Sequence, residues 1–275
     1  MMNGNKDKDI QLDYISTSGV YKTPFSLIIL VHFFLGAFLL LAINLWYINS
    51  LYYLIAGTQI YPMEPKGFWW YWLLLPLNIY GNLYLFALVI ILFSAGINKI
   101  LNKLHAPREG KFYKGSKDWK YFHRRFWNAY LPIWLARALP LPWIDVFAFN
   151  LFGTKIGKSV VVYDGYIDPL FIEIGDNSMT SLNTCIFSHL IYHDYIIIKK
   201  VHIGRACIVG PQTVVSPGTK MEDGSILGAN SYTSLDQNLS GNLIHVGTPV
   251  SHHFPIQSLD ESKEKLETIK EEKQS

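Results

Sequence analysis

From Ile203 onward the sequence repeats with a period of six, and few folds can accommodate such a repeat. The hexads read IGRACI, VGPQTV, VSPGTK, MEDGSI and LGANSY. Their first positions, Ile203, Val209, Val215, Met221 and Leu227, are all aliphatic or Met, and their fifth, Cys207, Thr213, Thr219, Ser225 and Ser231, are all small. Each hexad holds a short strand and a turn, and three hexads close one triangular coil. The aliphatic residue points inward and the small residue fits the corner. One such coil cannot bury its apolar face alone, so coils must stack.

The period continues upstream. Counting back by sixes from Ile186 lands on Thr180, Ile174, Asp168, Val162 and Ile156, with Ser178 and Thr184 in the small fifth slot. From Ile186 to Ile203 the count is seventeen, one short of three hexads. The segment SHLIYHDYIIIKK inside that interval is read as a loop extruded from the stack. Asp168 falls where the register wants an inward aliphatic, and a buried carboxylate needs a partner. The alternative is that Pro169 forces a bulge and turns Asp168 to solvent. Departures from so regular a repeat are where function is expected.

These hexads, with the closing segment NLIHVGTPV, resemble the hexapeptide-repeat acyltransferase superfamily over about residues 150–254. The resemblance implies a left-handed parallel β-helix. Over nearly the whole chain the order of parts is also similar to the membrane-anchored C-terminal units of poly-lysine-synthetase-type peptide synthetases. In those units two spans precede a short β-helix with a Thr-His-Leu motif, matched here by Ser188-His189-Leu190. The subgroup continues with an acidic pair and an arginine, where this chain has Ile191-Tyr192-His193-Asp194.

Two uncharged runs carry the rest of the organisation. No Asp, Glu, Lys or Arg lies between Lys22 and Glu64, or between Lys66 and Lys99. Both runs exceed the roughly 20 apolar residues a spanning helix needs, so transmembrane helices are expected at about 24–48 and 68–97. Trp46, Tyr47, Tyr52 and Tyr53 follow the first, and Trp69, Trp70 and Trp72 open the second, as aromatic girdles do. Lys66 is the only Lys or Arg between the runs, whereas Lys99, Lys103, Arg108, Lys111, Lys114, Lys117, Lys120, Arg124 and Arg125 follow the second. The positive-inside rule then makes this a multi-pass cell-membrane protein with both termini and the β-helix cytoplasmic. The basic stretch is a candidate for anionic headgroups or a solvated linker. With charged residues at 16%, a mean hydropathy of +0.17 and a net charge of +3, neither a disordered chain nor a nucleic-acid partner is indicated.

The expected order is therefore a cytosolic segment 1–22, two spans within 23–98, a basic linker and interfacial helical segment over 99–152, the β-helix over 153–256 and a charged tail over 257–275. Pro132, Pro140 and Pro142 are expected to prevent a continuous spanning helix in residues 126–152.

Acyl transfer from a thioester requires a base for the acceptor's proton and donors for the developing oxyanion. The resemblance implies that His189, beside the extruded loop, is that base. Asp164 and Asp168 are expected to assist, by orienting the histidine or holding a cationic acceptor, and Asn183 is a candidate hydrogen-bond partner for either substrate. The resemblance also implies a donor arm along the later hexads, near Gly210, Gly228 and Ala229, with Gly247 in the closing Gly-x-Pro. The donor is a coenzyme A thioester or an acyl group on the phosphopantetheine of a carrier protein. A homotrimer is implied too.

Three alternatives stand beside this reading. Cys185 could be a nucleophile, although no residue marks it as activated, and Cys207 reads as corner packing. His189, His193 and His202 could bind zinc as in β-helical carbonic anhydrases, but no close histidine pair lies inside a regular hexad run; no metal is expected. The third is a membrane-anchored trimeric scaffold without catalysis.

Overall fold

The computed structural model describes residues 24–58, 73–141 and 143–256. The N-terminal segment 1–22, the loop with Lys66, the tryptophans Trp69, Trp70 and Trp72, Pro142 and the charged tail 257–275 lie outside the described residues.

Helix α1 covers Phe25–Ala56 and helix α2 covers Leu75–Leu104; both are long and apolar enough to cross a membrane. Their bounds differ from those expected. The first runs on past Ile48, and the second takes in Lys99 and Lys103, placed above in the linker. Around α1 the side chains of Phe34, Phe38 and Ile55 stay exposed, and the other described residues leave most of its apolar surface uncovered. The two helices are pinned by asparagines. Asn44 donates to Asn82 Oδ1 (2.6 Å), while the Asn78 and Asn82 amides both donate to Asn44 Oδ1 (3.2 Å each). Polar pairs of this kind hold helices together where no hydrophobic force does.

Helix α3 (Lys117–Ala138) is the main departure from expectation. Ser116 caps it, its Oγ accepting from the Trp119 N–H at 3.2 Å. Pro132 lies inside the helix and does not end it; the break falls at Leu139 and Pro140. A proline there removes one hydrogen bond and costs about 3 kcal/mol. Burial of Trp119, Phe122, Ala129, Leu131 and Ala136 on the same helix offsets that cost. The basic stretch is therefore partly structural. Arg125 is buried, with its Nε donating to Asn102 Oδ1 (2.8 Å) and its guanidinium to the carbonyls of Leu101 and His105.

Helix α4 (Ile144–Phe152) ends at Gly153, whose φ of 119° only glycine adopts readily, and it sends Phe149 into the repeat core.

The chain then passes through three parallel stacks in turn, as stacked triangular coils require. The first stack holds Lys155–Ile156, Ile172–Ile174, Val201–Ile203, Lys220–Met221 and Asn238–Leu239. The second holds Val161–Val162, Met179–Thr180, Ile208–Val209, Ile226–Leu227 and Leu243–Gly247, closed by the antiparallel strand Val250–Pro255. The third holds Tyr166–Ile167, Cys185–Ile186 and Val214–Val215, with Tyr232 bridged to Val214. Each regular turn advances eighteen residues, as from His202 to Lys220 and from Ile208 to Ile226.

Ile174, Ile186, Ile203, Val209, Val215, Met221 and Leu227 form the core, each worth about 1.5–3 kcal/mol of burial. The small fifth residues are buried at the corners for a specific reason: their hydroxyls satisfy corner carbonyls. Ser178 Oγ donates to Gly204 O and Thr213 Oγ1 to Gly210 O, both at 2.8 Å. One register expectation is overturned. Ile167, not Asp168, fills the inward slot opposite Ile186, because the third stack slips by one residue in the first coil.

The extruded segment is an ordered hairpin. His189–Tyr192 and Tyr195–Ile198 pair antiparallel, and Gly110–Tyr113 adds a third strand from the region before α3. Trp119 and Phe122 of α3 pack on Ile196 and Ile198 beneath it. The hairpin, α3 and the third stack meet at the root of the hairpin, where His189 lies.

Candidate active site

Asp168 is 1% exposed, although it faces neither the core nor solvent. Its carboxylate accepts four hydrogen bonds. Tyr166 Oη donates to Oδ1 at 2.7 Å; the Ser188 N–H (2.7 Å), Ser188 Oγ (3.0 Å) and His189 Nδ1 (2.6 Å) all reach Oδ2. The bulge at Pro169 that would release Asp168 to solvent does not form; Pro169 is buried too. The register slip that sends Ile167 inward is what turns Asp168 along the edge toward His189.

A carboxylate only accepts, so the bonded Nδ1 of His189 carries a proton, and in the neutral ring the lone pair then sits on Nε2. Three aromatic rings fix the imidazole: Phe122 at 4.9 Å, Phe126 at 5.8 Å and Phe187 at 6.2 Å between centroids. Burial pushes the Tyr166 phenol up, and the adjacent Asp168 charge pushes it further, so Tyr166 stays a donor to Asp168. Beneath the site, burial lowers His123, while its bond to the Trp119 carbonyl opposes this and the nearby His189 adds to it. A histidine oriented by a buried carboxylate, with its second nitrogen unprotonated, is equipped to take a proton from a hydroxyl or amine.

The other expected residues lie elsewhere. Asp168 and His189 occupy the edge where the third stack turns back to the first. Asp164, Asn183, Gly210, Gly228, Ala229 and Gly247 occupy the edge between the second and third stacks. Asn183, at φ 57°, donates its N–H to the Asp164 carbonyl at 2.7 Å in that corner ladder. Asp164 and Asn183 are thus separated from His189 by the width of the third stack. Asp164 instead lines a cavity with Arg137 and Asp145.

Two of the glycines have a packing reason. A Cβ on Gly210 would lie 2.6 Å from Leu227 O, and one on Gly228 would lie 2.6 Å from Val246 Cγ1. Coils stack too closely there for any side chain. Gly247, at φ 132°, serves the final turn, where its N–H reaches Ser231 Oγ at 3.1 Å. Ala229 is exposed at the corner.

The three histidines suggested for zinc are dispersed. His189 is at the hairpin root, His193 at its turn, and His202 beside Glu173 (3.5 Å) on the first stack. Among the described residues no three His, Cys, Asp or Glu side chains gather as ligands would. Cys185 is a strand residue of the third stack, and Cys207 sits in a corner with its Sγ 3.1 Å from Glu222 O.

Sequence reasoning missed Tyr166, Phe122 and Phe126. The phenylalanines are spaced i, i+4 on α3, which marks a shared face but not what it touches.

No family model matches the chain. It is 29% identical over 113 residues to the Bacillus subtilis (strain 168) protein "Putative acetyltransferase YvoF", a match covering 39% of this chain and 65%, just under two thirds, of that protein. Among solved structures, a maltose O-acetyltransferase from Clostridium difficile 630 aligns at 17% identity and a TM-score of 0.44, over 58% of this chain and 97% of the other. A hexapeptide-repeat-containing acetyltransferase from Vibrio cholerae aligns at 14% identity and a TM-score of 0.42, over 50% and 93%.

Proposed function

We propose that this protein is a membrane-anchored acyltransferase with a left-handed β-helix, moving an acyl group from a coenzyme A or carrier-protein thioester to a hydroxyl or amine. The observation that carries this reading is the 2.6 Å contact between His189 Nδ1 and the buried Asp168 carboxylate, which leaves Nε2 as a base. His189 Nε2 takes the acceptor's proton as its oxygen or nitrogen attacks the thioester carbonyl. The tetrahedral intermediate then expels the thiolate, which takes that proton from His189. The products are the acylated acceptor and a free thiol. Asp168 holds the ring and stabilises the imidazolium that forms between the two transfers.

The two edges support a trimer. His189 and the glycine corner flank opposite sides of one stack, so a donor lying along the corner of one copy could be served by His189 of the next. The two long apolar helices support anchoring, with the basic flank inside.

Thermal unfolding of the full chain in detergent, with coenzyme A, acetyl-coenzyme A or phosphopantetheine, tests the reading. A ligand at 100 times its Kd stabilises by about 2.7 kcal/mol. A shift with coenzyme A supports a free thioester donor, and a shift with phosphopantetheine alone supports a carrier protein. No shift with any of them, together with no transfer to any acceptor, overturns it.

A further inference from the structure

Helix α3 lies across the third stack of the first coil and does not seal against it. Between them is a cleft of ≈ 190 Å³ whose walls include Phe126, Tyr130, Ile133, Trp134 and Tyr166, with Arg137 at one side. Three features set it apart from an incidental gap. Its lining is mostly aromatic and aliphatic, and the one charged side chain in it, Arg137, donates to the Gly165 carbonyl. It touches the His189 site at two points, because Phe126 packs edge-on to the His189 ring and Tyr166 donates to Asp168. And it leads outward along linked aromatic rings: Phe126 contacts Trp127 (5.4 Å) and Tyr130 (6.5 Å), and Trp127 contacts Phe25 (5.0 Å) at the first residue of α1. Tyr130 and Trp134 remain about half exposed at the mouth. These ring contacts thus connect the wall of the His189 ring to Phe25, at the start of the helix whose apolar side chains are the most exposed.

We infer that this cleft holds the hydrocarbon chain of a lipid-borne acceptor, so that a hydroxyl or amine at its head meets His189 Nε2 while the tail remains in the bilayer. This rests on the acyltransfer reading and names its acceptor class. The volume accommodates only a short stretch of hydrocarbon, so the rest of the chain must lie outside, past Trp127 and Tyr130. A bilayer at the start of α1 is positioned to receive it. A water-soluble sugar would gain nothing from the apolar walls, whereas each methylene entering them tightens binding roughly fourfold.

The test uses the full chain in phosphatidylcholine nanodiscs and dodecanol bearing a diazirine on its chain. After irradiation, adducts are mapped by peptide mass spectrometry. Adducts are expected on the peptides carrying Tyr130, Trp134 and Pro169, displaced by excess dodecanol and not by ethanol. Ile133→Glu is expected to cut this labelling at least tenfold while adducts on α1 and α2 persist. Because Ile133 also packs on the repeat core, the exposed Trp134→Ala is the second variant, with a several-fold loss expected. Adducts confined to α1 and α2, or cleft labelling that ethanol displaces equally, overturn the inference. So does a cysteine cross-link at the mouth showing a second copy seated there. A coenzyme A melting shift in the same preparation separates the two readings: cleft labelling with no shift and no transfer fails acyl transfer alone, and a shift without cleft labelling fails the lipid acceptor alone.

Discussion

Asp168 and His189 stand 21 residues apart in the chain and 2.6 Å apart in space, joined by a carboxylate–imidazole hydrogen bond at the root of the extruded hairpin. Neither residue could make this contact alone. Asp168 is turned to the edge by the slip that puts Ile167 in the core, and His189 is turned inward by the pairing of its strand with Tyr195–Ile198. The insertion in the repeat and the shift in register therefore serve one geometry.

Removing the base should separate activity from folding. His189→Ala is expected to lower turnover by about 10²–10⁴-fold while the protein still folds, at a cost of about 1–3 kcal/mol for the donor lost from the buried Asp168 carboxylate. Turnover within a few-fold of the parent would reject the assignment. Steady-state rates with acetyl-coenzyme A, alongside melting curves of both proteins, decide it.

Asp168→Asn tests the orienting role. The amide keeps the shape but brings its own donors to a site already occupied by the Tyr166, Ser188 and His189 donors. At least one buried group loses its partner, which costs about 1–3 kcal/mol of stability. The tautomer of His189 is no longer enforced, so kcat should fall with little change in KM. Tyr166→Phe removes a single donor and should cost about 1 kcal/mol with a much smaller kcat effect. Equal kcat losses in the two variants would count against Asp168 as the positioning residue.

How much of this was legible beforehand depends on the range of the interaction. The hexads, the corner residues and the extruded segment are local patterns, and each has its place in the structure. Asp168 was singled out because it violated the period, though the inward slot belongs to Ile167, since a one-residue slip leaves no local mark. Pro132 was read as a break, and the packing of Trp119 and Phe122 that carries the helix through it is tertiary. Asp164, expected to assist His189, and Asn183, a candidate partner for either substrate, carry no mark of which edge they occupy; in a coil of three sides, a few residues is enough to reach the next edge. The aromatic bed from α3 belongs to a segment more than sixty residues upstream of His189, and nothing in the chain's periodicity connects them.

Gly210→Ala and Gly228→Ala probe whether those glycines serve packing. With the new Cβ 2.6 Å from a backbone carbonyl in the first and from the Val246 side chain in the second, something must shift. Overpacking of this kind costs about 1–3 kcal/mol. The backbone neighbour at Gly210 yields less easily than a side chain, so Gly210→Ala should be the more destabilising of the pair. Denaturant melts of both variants test the order, and unchanged midpoints would remove the packing account and leave donor binding as their reason.

A final prediction concerns pH and the ladder on the first stack. Glu173 stands between Lys155 and His202 in register, with Lys155 Nζ at 2.7 Å from Oε1 and Lys200 Nζ at 2.6 Å from Oε2. Partial burial works against its charge, but the hydrogen bonds from Lys155 and Lys200 prevail and bring its carboxyl down to about 2. The unfolded chain, with an ordinary glutamate value of about 4.3, binds the proton first as pH falls. The stabilisation is therefore fully present above about pH 4.5, shrinks as the pH drops through the interval, and is gone below about 2. Because the lysines are largely solvated, the effect is about 1 kcal/mol or less. The parent should melt slightly above Glu173→Gln at neutral pH, and the two curves should converge as the pH approaches 2. A gap that stays constant across that range would mean that the substitution acts through packing and not through the charge.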